Sequence, residues 1–424
     1  MNNTKTILLF AILSLLMVCC SKQPAAEFKT ETSLLFKTGV YRSYQEAEHF
    51  ALDAIDVIDQ AVPTRSGASR TIASGMCYSK PATKSEPAAD SLFYVFNFAD
   101  EAGFAIIAGN RQVSPIVAVT EQGSYIPGEK TGVDGFDGYM DMVISTFSGL
   151  DRGDPFPYSY YEDEIVGTQM PPLVYVRWGQ QGVYGQFCSN GRSGCVITAM
   201  AQILSYFEKP QSFILSVDME NTYSAGDTLV LNWPLIKQHR VNHSGNYLSC
   251  DAVHPQIGAL MRELGAICGS TYYPTTTSTN YDVSSVYSQL GYQCSNFSEA
   301  NIADIKNSLS SCCPVQMTGF TFDNDYGHDF IADGFKDYEV WRTVYICQGP
   351  NGEYIAQNPF KASESHSLHI NWGWDGRCNG YFAFNSYNSA FAEEYDTEDN
   401  NVSVNFCASV NMICGIWTQH ITPL

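Results

Sequence analysis

Residues 195–207, CVITAMAQILSYF, form the segment that most restricts how this chain can fold. At 3.6 residues per turn its apolar side chains occupy two helical faces, with Val196, Met200, Ile203 and Phe207 on one and Ile197 and Leu204 on another. A helix that is apolar nearly all round has to be buried nearly all round. The sequence therefore predicts a buried central helix, which is a rigid base for a reactive residue.

Cys195 stands at the N-terminus of this predicted helix, directly after the loop sequence GRSG. A thiol there feels the positive end of the helix dipole and unpaired backbone N–H groups, which lower its pKa and favour the nucleophilic thiolate. Cysteine is also often a small buried hydrophobe, or half of a disulfide in an exported protein. Both alternatives stay open on this segment alone.

The N-terminal residues predict export. Lys5 precedes an apolar run at 7–18, which is too short for a comfortable membrane span and is typical of a signal peptide. The run ends in CCSK, which is typical of a bacterial lipoprotein processing site, with Cys20 as the lipidated residue and Cys19 as the alternative. We predict an outer-membrane or cell-surface lipoprotein held by its lipid anchor only, or a protein secreted after processing.

Composition excludes some classes of function. The 424 residues are 45% hydrophobic, which is ample for real cores, and they carry 44 Asp and Glu against 23 Lys and Arg. Nucleic acid is excluded as a partner, because binding phosphate needs a basic face. The 14 cysteines form no paired CxxC motifs, and the sequence contains no HExxH motif. We therefore predict no metal site and no cofactor. Disulfides are permitted, but spacing does not give their pairing.

The first part of the chain predicts a small α+β unit that could stand alone. Residues 43–62 read as a helix, with Ser43 and Glu46 as a capping box, and residues 91–125 read as three strands. Residues 151–172 are rich in Pro, Tyr and acidic residues without apolar periodicity, which indicates a domain boundary. Residues 254–268 predict a second helix beyond it, and short aromatic-rich runs from 313 onward predict an antiparallel sheet.

Candidate partners for a thiol nucleophile follow in the sequence. His328, in GHDFIADGF, could be the base that takes the thiol proton and returns it to the leaving group. Asn371, in HINWGWDG, could orient the imidazole while the flanking Trp372 and Trp374 exclude water. Gln180, in VRWGQQG, could join the Cys195 backbone N–H in an oxyanion hole, with Gln181 as its rival. Each residue alone is equally compatible with a structural role.

The order Gln, Cys, His, Asn-Trp resembles the papain-like cysteine peptidases, and most closely the streptopain family of bacterial peptidases. The resemblance rests on WGQ, GCVITAMAQILSYFEKP, GHDFIADGF and HINWGWDGRCNGYF, and it extends to the propeptide-like segment from 94 to 125. Three positions differ from the family pattern, namely Ile197, Asp329 and Asp375, where small residues are usual. The Gln180 loop also lacks the usual Pro-Tyr-Asn.

The resemblance implies an α+β fold. It comprises a papain-like two-lobed catalytic domain, with a helical lobe and an antiparallel sheet lobe, preceded by a small α+β propeptide. We therefore expect a signal peptide at 1–20, an inhibitory propeptide at 21–165 and a cysteine peptidase domain at 166–424. The resemblance also implies roles: Cys195 as nucleophile, His328 as general acid/base, Asn371 as orienting residue, Gln180 in the oxyanion hole, and Trp372 as a shield, with Trp374 beside it.

The sequence thus predicts an exported cysteine endopeptidase made as a zymogen, with peptides or proteins as substrates and its own propeptide as a partner. One alternative is a papain-fold amidase or acyl transferase, which uses the same order of groups. Another is a catalytically silent surface lipoprotein that binds peptides or inhibits a peptidase. Analysis of the reaction products formed with an added amine would distinguish the first alternative from a peptidase. Failure of a thiol-directed peptidase inhibitor to label Cys195 would favour the second alternative.

We predict that the chain carries a fatty acid on Cys20. Metabolic labelling with a radioactive or clickable fatty acid should mark the wild-type protein, and Cys20→Ser should lose the mark because no thiol remains for attachment. Cys19→Ser is the matched control and should keep it. Absence of labelling in the wild type would leave plain secretion as the explanation.

Overall fold

The computed structural model describes residues 26–30, 41–61, 70–79, 91–111, 113–150, 159–239, 251–274, 276–279, 282–320, 327–348, 353–384 and 409–418. The predicted signal peptide, with Cys19 and Cys20, lies outside these residues. The helices are α1 Tyr44–Ala61, α2 Asp134–Ser148, α3 Cys195–Phe207, α4 Trp233–Ile236, α5 His254–Ile267, α6 Val283–Gln289 and α7 Ile302–Ser310. No helix among these ranges is long and apolar enough to cross a membrane.

Most strands belong to one antiparallel sheet, as the aromatic-rich runs predicted. The strands along its central path are β2 Ile72–Tyr78, β3 Phe93–Phe98, β4 Phe104–Ala108, β5 Ile116–Thr120, β12 Ser298–Glu299, β13 Val315–Phe320, β14 Gly327–Gln348, β16 Phe360–Asn371, β17 Gly380–Ala383 and β18 Ser409–Ile413. Their order in the sheet is β12-β18-β13-β14-β16-β17-β5-β4-β3-β2. Three strands branch from the path: β1 Ala26–Thr30, β6 Ser159–Met170 and β15 Glu353–Ala356. Three two-stranded ribbons pair β7 Ser212–Ile214 with β8 Thr228–Val230, β9 Thr271–Tyr272 with β10 Thr277–Ser278, and β11 Tyr292–Gln293 with β19 Trp417–Thr418.

The N-terminal α+β unit forms as predicted in its local structure. Helix α1 begins with the predicted capping box, in which the Ser43 N–H donates to Glu46 Oε2 (2.8 Å) and the Glu46 N–H donates to Ser43 Oγ (3.2 Å). The three predicted strands are β3, β4 and β5, and β2 adds a fourth. The apolar face of α1 packs on this sheet through Ala47, Phe50, Ala51, Ala54 and Ile55.

This unit does not stand apart from the rest of the chain. Strand β5 pairs with β17, so that Thr120 lies opposite Gly380 and Ala118 opposite Phe382. One hydrophobic core also contains residues from both parts, and Phe136 and Tyr139 of α2 pack edge-on against Phe382. Long-range strand pairing therefore merges the sheets of the two parts, and the ability of the N-terminal unit to fold alone stays a prediction.

Residues 159–170, which we expected to be irregular, form strand β6. This strand pairs along its whole length with β14, from Met170 opposite Phe335 to Ser159 opposite Ile346. A buried ion pair reinforces the junction, since the Arg342 guanidinium donates through Nε and Nη2 to the two oxygens of Asp163 (2.7 and 2.8 Å). The sequence prediction relied on apolar residues that alternate along one face of a strand. Strand β6 is polar and has a pairing strand on each side, so it lacks that pattern.

The helical lobe surrounds α3, and both predicted helices of this lobe are confirmed. Helix α3 is buried along nearly all its length, from Ile197 to Ser205, and α5 packs beside it. A second hydrophobic core joins α3, α5 and α6 to the face of β14 that carries Ile331. The chain thus has the predicted α+β architecture, with a helical lobe and an antiparallel sheet lobe.

Candidate active site

Helix α3 begins at Cys195, the position that the sequence predicts. Gly194 caps the helix with φ +92°, a conformation that favours glycine, and a Cβ there would lie 3.0 Å from the Thr277 side chain. Thr198 donates its hydroxyl to the Gly194 carbonyl (2.9 Å), which closes the first turn. These contacts fix the direction in which the Cys195 side chain leaves the helix.

The loop that carries Gln180 is held against this helix start. The Gln180 carbonyl accepts from the Ser193 N–H (2.9 Å), and the Gly179 carbonyl lies 3.2 Å from the Thr198 hydroxyl. Gln180 itself is half-buried. The backbone therefore brings Gln180 beside the segment that precedes Cys195, and the role of its side chain in an oxyanion hole stays a prediction.

The surroundings of Cys195 reverse the pKa shift expected from the helix dipole. Burial and, after it, the negative charge of Asp329 together raise the pKa of the thiol to about 12, although backbone N–H groups of Asp329 and Val196 oppose the rise. The expectation of a lowered pKa is wrong for this state of the chain. The cost of removing a thiolate from water, together with a neighbouring carboxylate, outweighs the dipole at the helix start.

His328 hydrogen-bonds to the backbone carbonyl of Trp372. Its Nε2 lies 3.0 Å from the Trp372 carbonyl oxygen, and its ring lies 6.3 Å from the Trp374 ring. A carbonyl only accepts, so Nε2 carries the proton and the neutral imidazole has its lone pair on Nδ1. Burial lowers the pKa of His328 to about 4, and the bond to Trp372 offsets part of this shift. The imidazole is therefore neutral and has the tautomer of a general base at Nδ1.

Different groups shift the pKa values of His328 and Cys195. Burial and Trp372 account for the pKa shift of His328, and the charged group that acts on the pKa of Cys195 is Asp329. Successive residues of β14 point to opposite faces of the sheet. Phe330 belongs to the core around Trp372, whereas Ile331 belongs to the core around α3. By this alternation His328 lies on the face of Phe330, and Asp329 lies on the face of Ile331.

Asn371 is occupied by other partners. Its Nδ2 donates to the Val176 carbonyl (3.0 Å) and to Gln202 Oε1 on α3 (2.9 Å), and its Oδ1 accepts from the Gly373 N–H (3.1 Å). In this state Asn371 ties the end of β16 to α3, and the Trp372 carbonyl takes the imidazole N–H. Orientation of the imidazole by Asn371 stays a prediction.

Both tryptophans of the WGW sequence lie beside the imidazole. Trp372 is buried, donates its indole N–H to the Cys378 carbonyl (3.1 Å) and packs against Phe330 and Phe382. Trp374 is half-buried, with its ring against His328. These positions agree with a shielding role, which the sequence assigned mainly to Trp372.

The N-terminal residues cover this part of the site. Gly135 of α2 approaches Trp372 so closely that a Cβ on it would lie 2.4 Å from the indole ring. Arg377 donates to the Thr131 carbonyl (2.7 Å), and Gln122 donates to the Asp375 carbonyl (3.2 Å). Helix α2 and its flanking segments therefore hold the loop that follows Asn371.

Sequence reasoning missed a buried charge cluster at the junction of β5 with the sheet lobe. His369 Nδ1 lies 2.5 Å from Asp333 Oδ1, and His369 Nε2 lies 3.5 Å from Oε1 of Glu121, which also binds Arg177. Burial alone would lower the pKa of His369, but Asp333 and Glu121 raise it to about 9. The one available signal was His369 itself, a histidine between the apolar residues Leu368 and Ile370. Within the described ranges, no cluster of His, Cys, Asp and Glu is suited to hold a metal ion.

Comparison with known proteins identifies this arrangement. Residues 178–382 match the family model described as Peptidase C10 family, and residues 39–140 match the Spi protease inhibitor model. Streptopain from Streptococcus pyogenes is 24% identical over 336 residues, which cover 70% of this chain and 75% of streptopain, and streptopain of serotype M1 matches to the same extent. A solved fragment of prointerpain A from Prevotella intermedia is 19% identical, with a TM-score of 0.47, and covers 82% of this chain and 100% of the fragment.

The class defined by these matches is a cysteine peptidase with an N-terminal propeptide that resembles a protease inhibitor. Within that class, residues 178–382 are similar to the Peptidase C10 family, and the chain is similar to streptopain. All the residues that the sequence assigned to chemistry, from Gln180 to Trp374, lie inside the segment matched by the peptidase model.

We predict that the His369 cluster makes the fold less stable in alkali. The raised pKa means that the protonated His369 stabilises the folded chain fully below pH 6.5, and this stabilisation is lost as pH rises through about 9. The free energy of unfolding should fall by about 3 kcal/mol over this range. The free energy of unfolding, measured by denaturant titration between pH 6.5 and 9.5, should fall more in the wild type than in His369→Gln. His366→Gln, on the same strand, is the matched control and should behave as the wild type. Equal slopes in all three proteins would contradict the prediction.

Proposed function

We propose that this chain is an exported cysteine endopeptidase, made as a zymogen, in which Cys195 attacks the peptide carbonyl and His328 transfers the proton. The observation that carries the proposal is Cys195 at the first position of a buried helix, with the Gln180 loop bonded to Ser193 beside it. In this proposal the N–H groups at the start of the helix stabilise the developing oxyanion, and the Gln180 amide is the second donor. The export pattern at residues 5–22, with lipid on Cys20, belongs to the same proposal.

The chemistry follows from these groups. Nδ1 of His328 takes the thiol proton, and the thiolate attacks the carbonyl carbon to give a tetrahedral oxyanion. The imidazolium then protonates the leaving amine as the C–N bond breaks, which leaves a thioester on Cys195. Water attacks the thioester with His328 as base, the acid product leaves, and the thiol regains its proton. The bond from Nε2 to a backbone carbonyl favours the neutral tautomer with its lone pair on Nδ1, so that Nδ1 is the atom that accepts and returns the proton.

The contacts of the N-terminal residues with the loop that follows Asn371 support a zymogen. Helix α2 presses on Trp372, whose carbonyl holds the imidazole. We propose that cleavage between the predicted propeptide (21–165) and peptidase domain (166–424) removes this contact and lets the pair assemble.

We expect Cys195→Ala to abolish peptide hydrolysis and leave the fold intact. Activity of the processed enzyme on a protein substrate should fall by at least about 10³-fold, because no other group can form the thioester. Cys268→Ala is the matched control, since Cys268 is also a buried thiol of the helical lobe but bonds to Met200. It should keep activity. Undiminished turnover in Cys195→Ala would refute the assignment.

We expect Cys195 to become reactive only after processing. Purified chain should be treated with an epoxide inhibitor of cysteine peptidases before and after limited proteolysis within 151–172, and the modified residue mapped by mass spectrometry. Modification of Cys195 only after cleavage is the expected result, since the imidazole reaches the thiol only then. Equal modification of the intact chain would contradict the zymogen. Absence of modification in both states, with a reduced thiol, would favour a silent binding protein.

A further inference from the structure

The N-terminal segment contacts the peptidase segment through the dipeptide Glu121-Gln122, which directly follows β5. The Glu121 N–H donates to the Asn379 carbonyl (3.0 Å), which continues the pairing of β5 with β17. The Glu121 carboxylate bonds to Arg177 through Oε2, and its Oε1 lies 3.5 Å from His369 Nε2. Glu121 lies in the segment matched by the inhibitor model, whereas His369 lies in the segment matched by the peptidase model. These charge contacts therefore cross from one part of the chain to the other.

Gln122 adds contacts to two loops of the candidate site. Its Nε2 donates to the Asp375 carbonyl (3.2 Å), and its Oε1 accepts from Arg177 Nη1 (3.4 Å). Arg177 stands three residues before Gln180 in VRWGQQG, and Asp375 belongs to the loop with the sequence WGWDG. The fit is close, because a Cβ on Gly376 would lie 2.5 Å from Gln122 Nε2 and 2.7 Å from Arg177 Cδ. The dipeptide thus bridges the two loops that carry candidate site residues.

The peptidase side of this contact carries positive charge that Glu121 compensates. His369 Nδ1 lies 2.5 Å from Asp333 Oδ1, and the two side chains are 3% and 0% exposed. Asp333 Oδ2 accepts from the Val174 N–H (2.9 Å), which fixes the carboxylate toward the histidine. Without Glu121, Asp333 would face two cations, Arg177 and the protonated His369. Because a buried charge without its counter-ion is unfavourable, this place in the peptidase segment is suited to receive one further carboxylate.

We propose that the peptidase segment has a recognition site for a carboxylate, formed by Arg177 and His369, and that Glu121 of the N-terminal segment is its occupant. Gln122 sets the register of the contact through its bonds to Arg177 and the Asp375 carbonyl. In a strand added to a sheet, main-chain bonds give affinity and side-chain contacts give specificity. The proposal deepens the proposed function and rests on it, because it names the contact that controls how tightly the cut propeptide is held before its release.

The test is the affinity between the two parts of a cut chain. A recognition sequence for a specific protease is inserted between residues 150 and 159 of the Cys195→Ala protein, which excludes self-cleavage, and the folded chain is cut there. The dissociation constant of the two fragments is measured by dilution of the fluorescently labelled complex. Glu121→Gln keeps the size of the side chain but removes its charge. We expect the dissociation constant to rise at least about tenfold, because Arg177 and His369 lose their counter-ion.

Two further variants assign the effect to this site. Glu129→Gln, at an exposed position of the same segment, is the matched control and should keep the wild-type dissociation constant. Arg177→Gln should weaken the complex as Glu121→Gln does. The double variant should be weakened by less than the product of the two single effects, because both substitutions remove the same ion pair.

Several outcomes would overturn the proposal. One is an unchanged dissociation constant in Glu121→Gln, and another is a pair of single effects that simply multiply in the double variant. Wild-type fragments without measurable affinity would also contradict it. If Glu121→Gln does not fold, Arg177→Gln decides, since an unchanged dissociation constant there would exclude the site. None of these readings uses peptidase activity, so failure of the proposed function, seen as undiminished turnover in Cys195→Ala, is distinguishable.

Discussion

The backbone pairing of β5 with β17 is the constraint on which the rest of the structure depends. It joins the N-terminal strands and the sheet lobe into one sheet and places α2 over Phe382 and Trp372. The N-terminal residues therefore complete the core of the peptidase as well as cover its site. The strand pairing, the shared apolar core and the His369 cluster all lie at this junction. Removing the propeptide therefore changes the surroundings of the loop that follows Asn371.

Burial, rather than the helix dipole, determines the protonation of the site in this state. It raises the pKa of Cys195 to about 12 and lowers that of His328 to about 4, so both groups are neutral. An ion pair requires each charge to lie close enough to offset the desolvation of the other. We propose that removal of the propeptide brings His328 and Cys195 into such a pair.

Local patterns in the sequence predicted the local structure well. The capping box at Ser43 and the apolar periodicity after Cys195 fixed the starts of α1 and α3, since both depend on residues within a few turns. The pairing of β5 with β17 and the strand at 159–170 were not predictable in this way, because they depend on partners far away in the sequence. The order of motifs identified the candidate site residues, but not which face of β14 each would occupy. Asp329 was visible only as a departure from the usual small residue.

We propose that Cys195 and His328 form their pair only after the propeptide is removed. Crystal structures of intact and processed Cys195→Ser protein test it most directly, because serine prevents self-processing and keeps a hydrogen-bonding group. In the intact chain we expect His328 Nε2 on the Trp372 carbonyl, and in the processed chain we expect His328 Nδ1 within hydrogen-bond distance of the serine oxygen. The same arrangement in both forms, or a direct contact already present in the intact chain, would contradict the account.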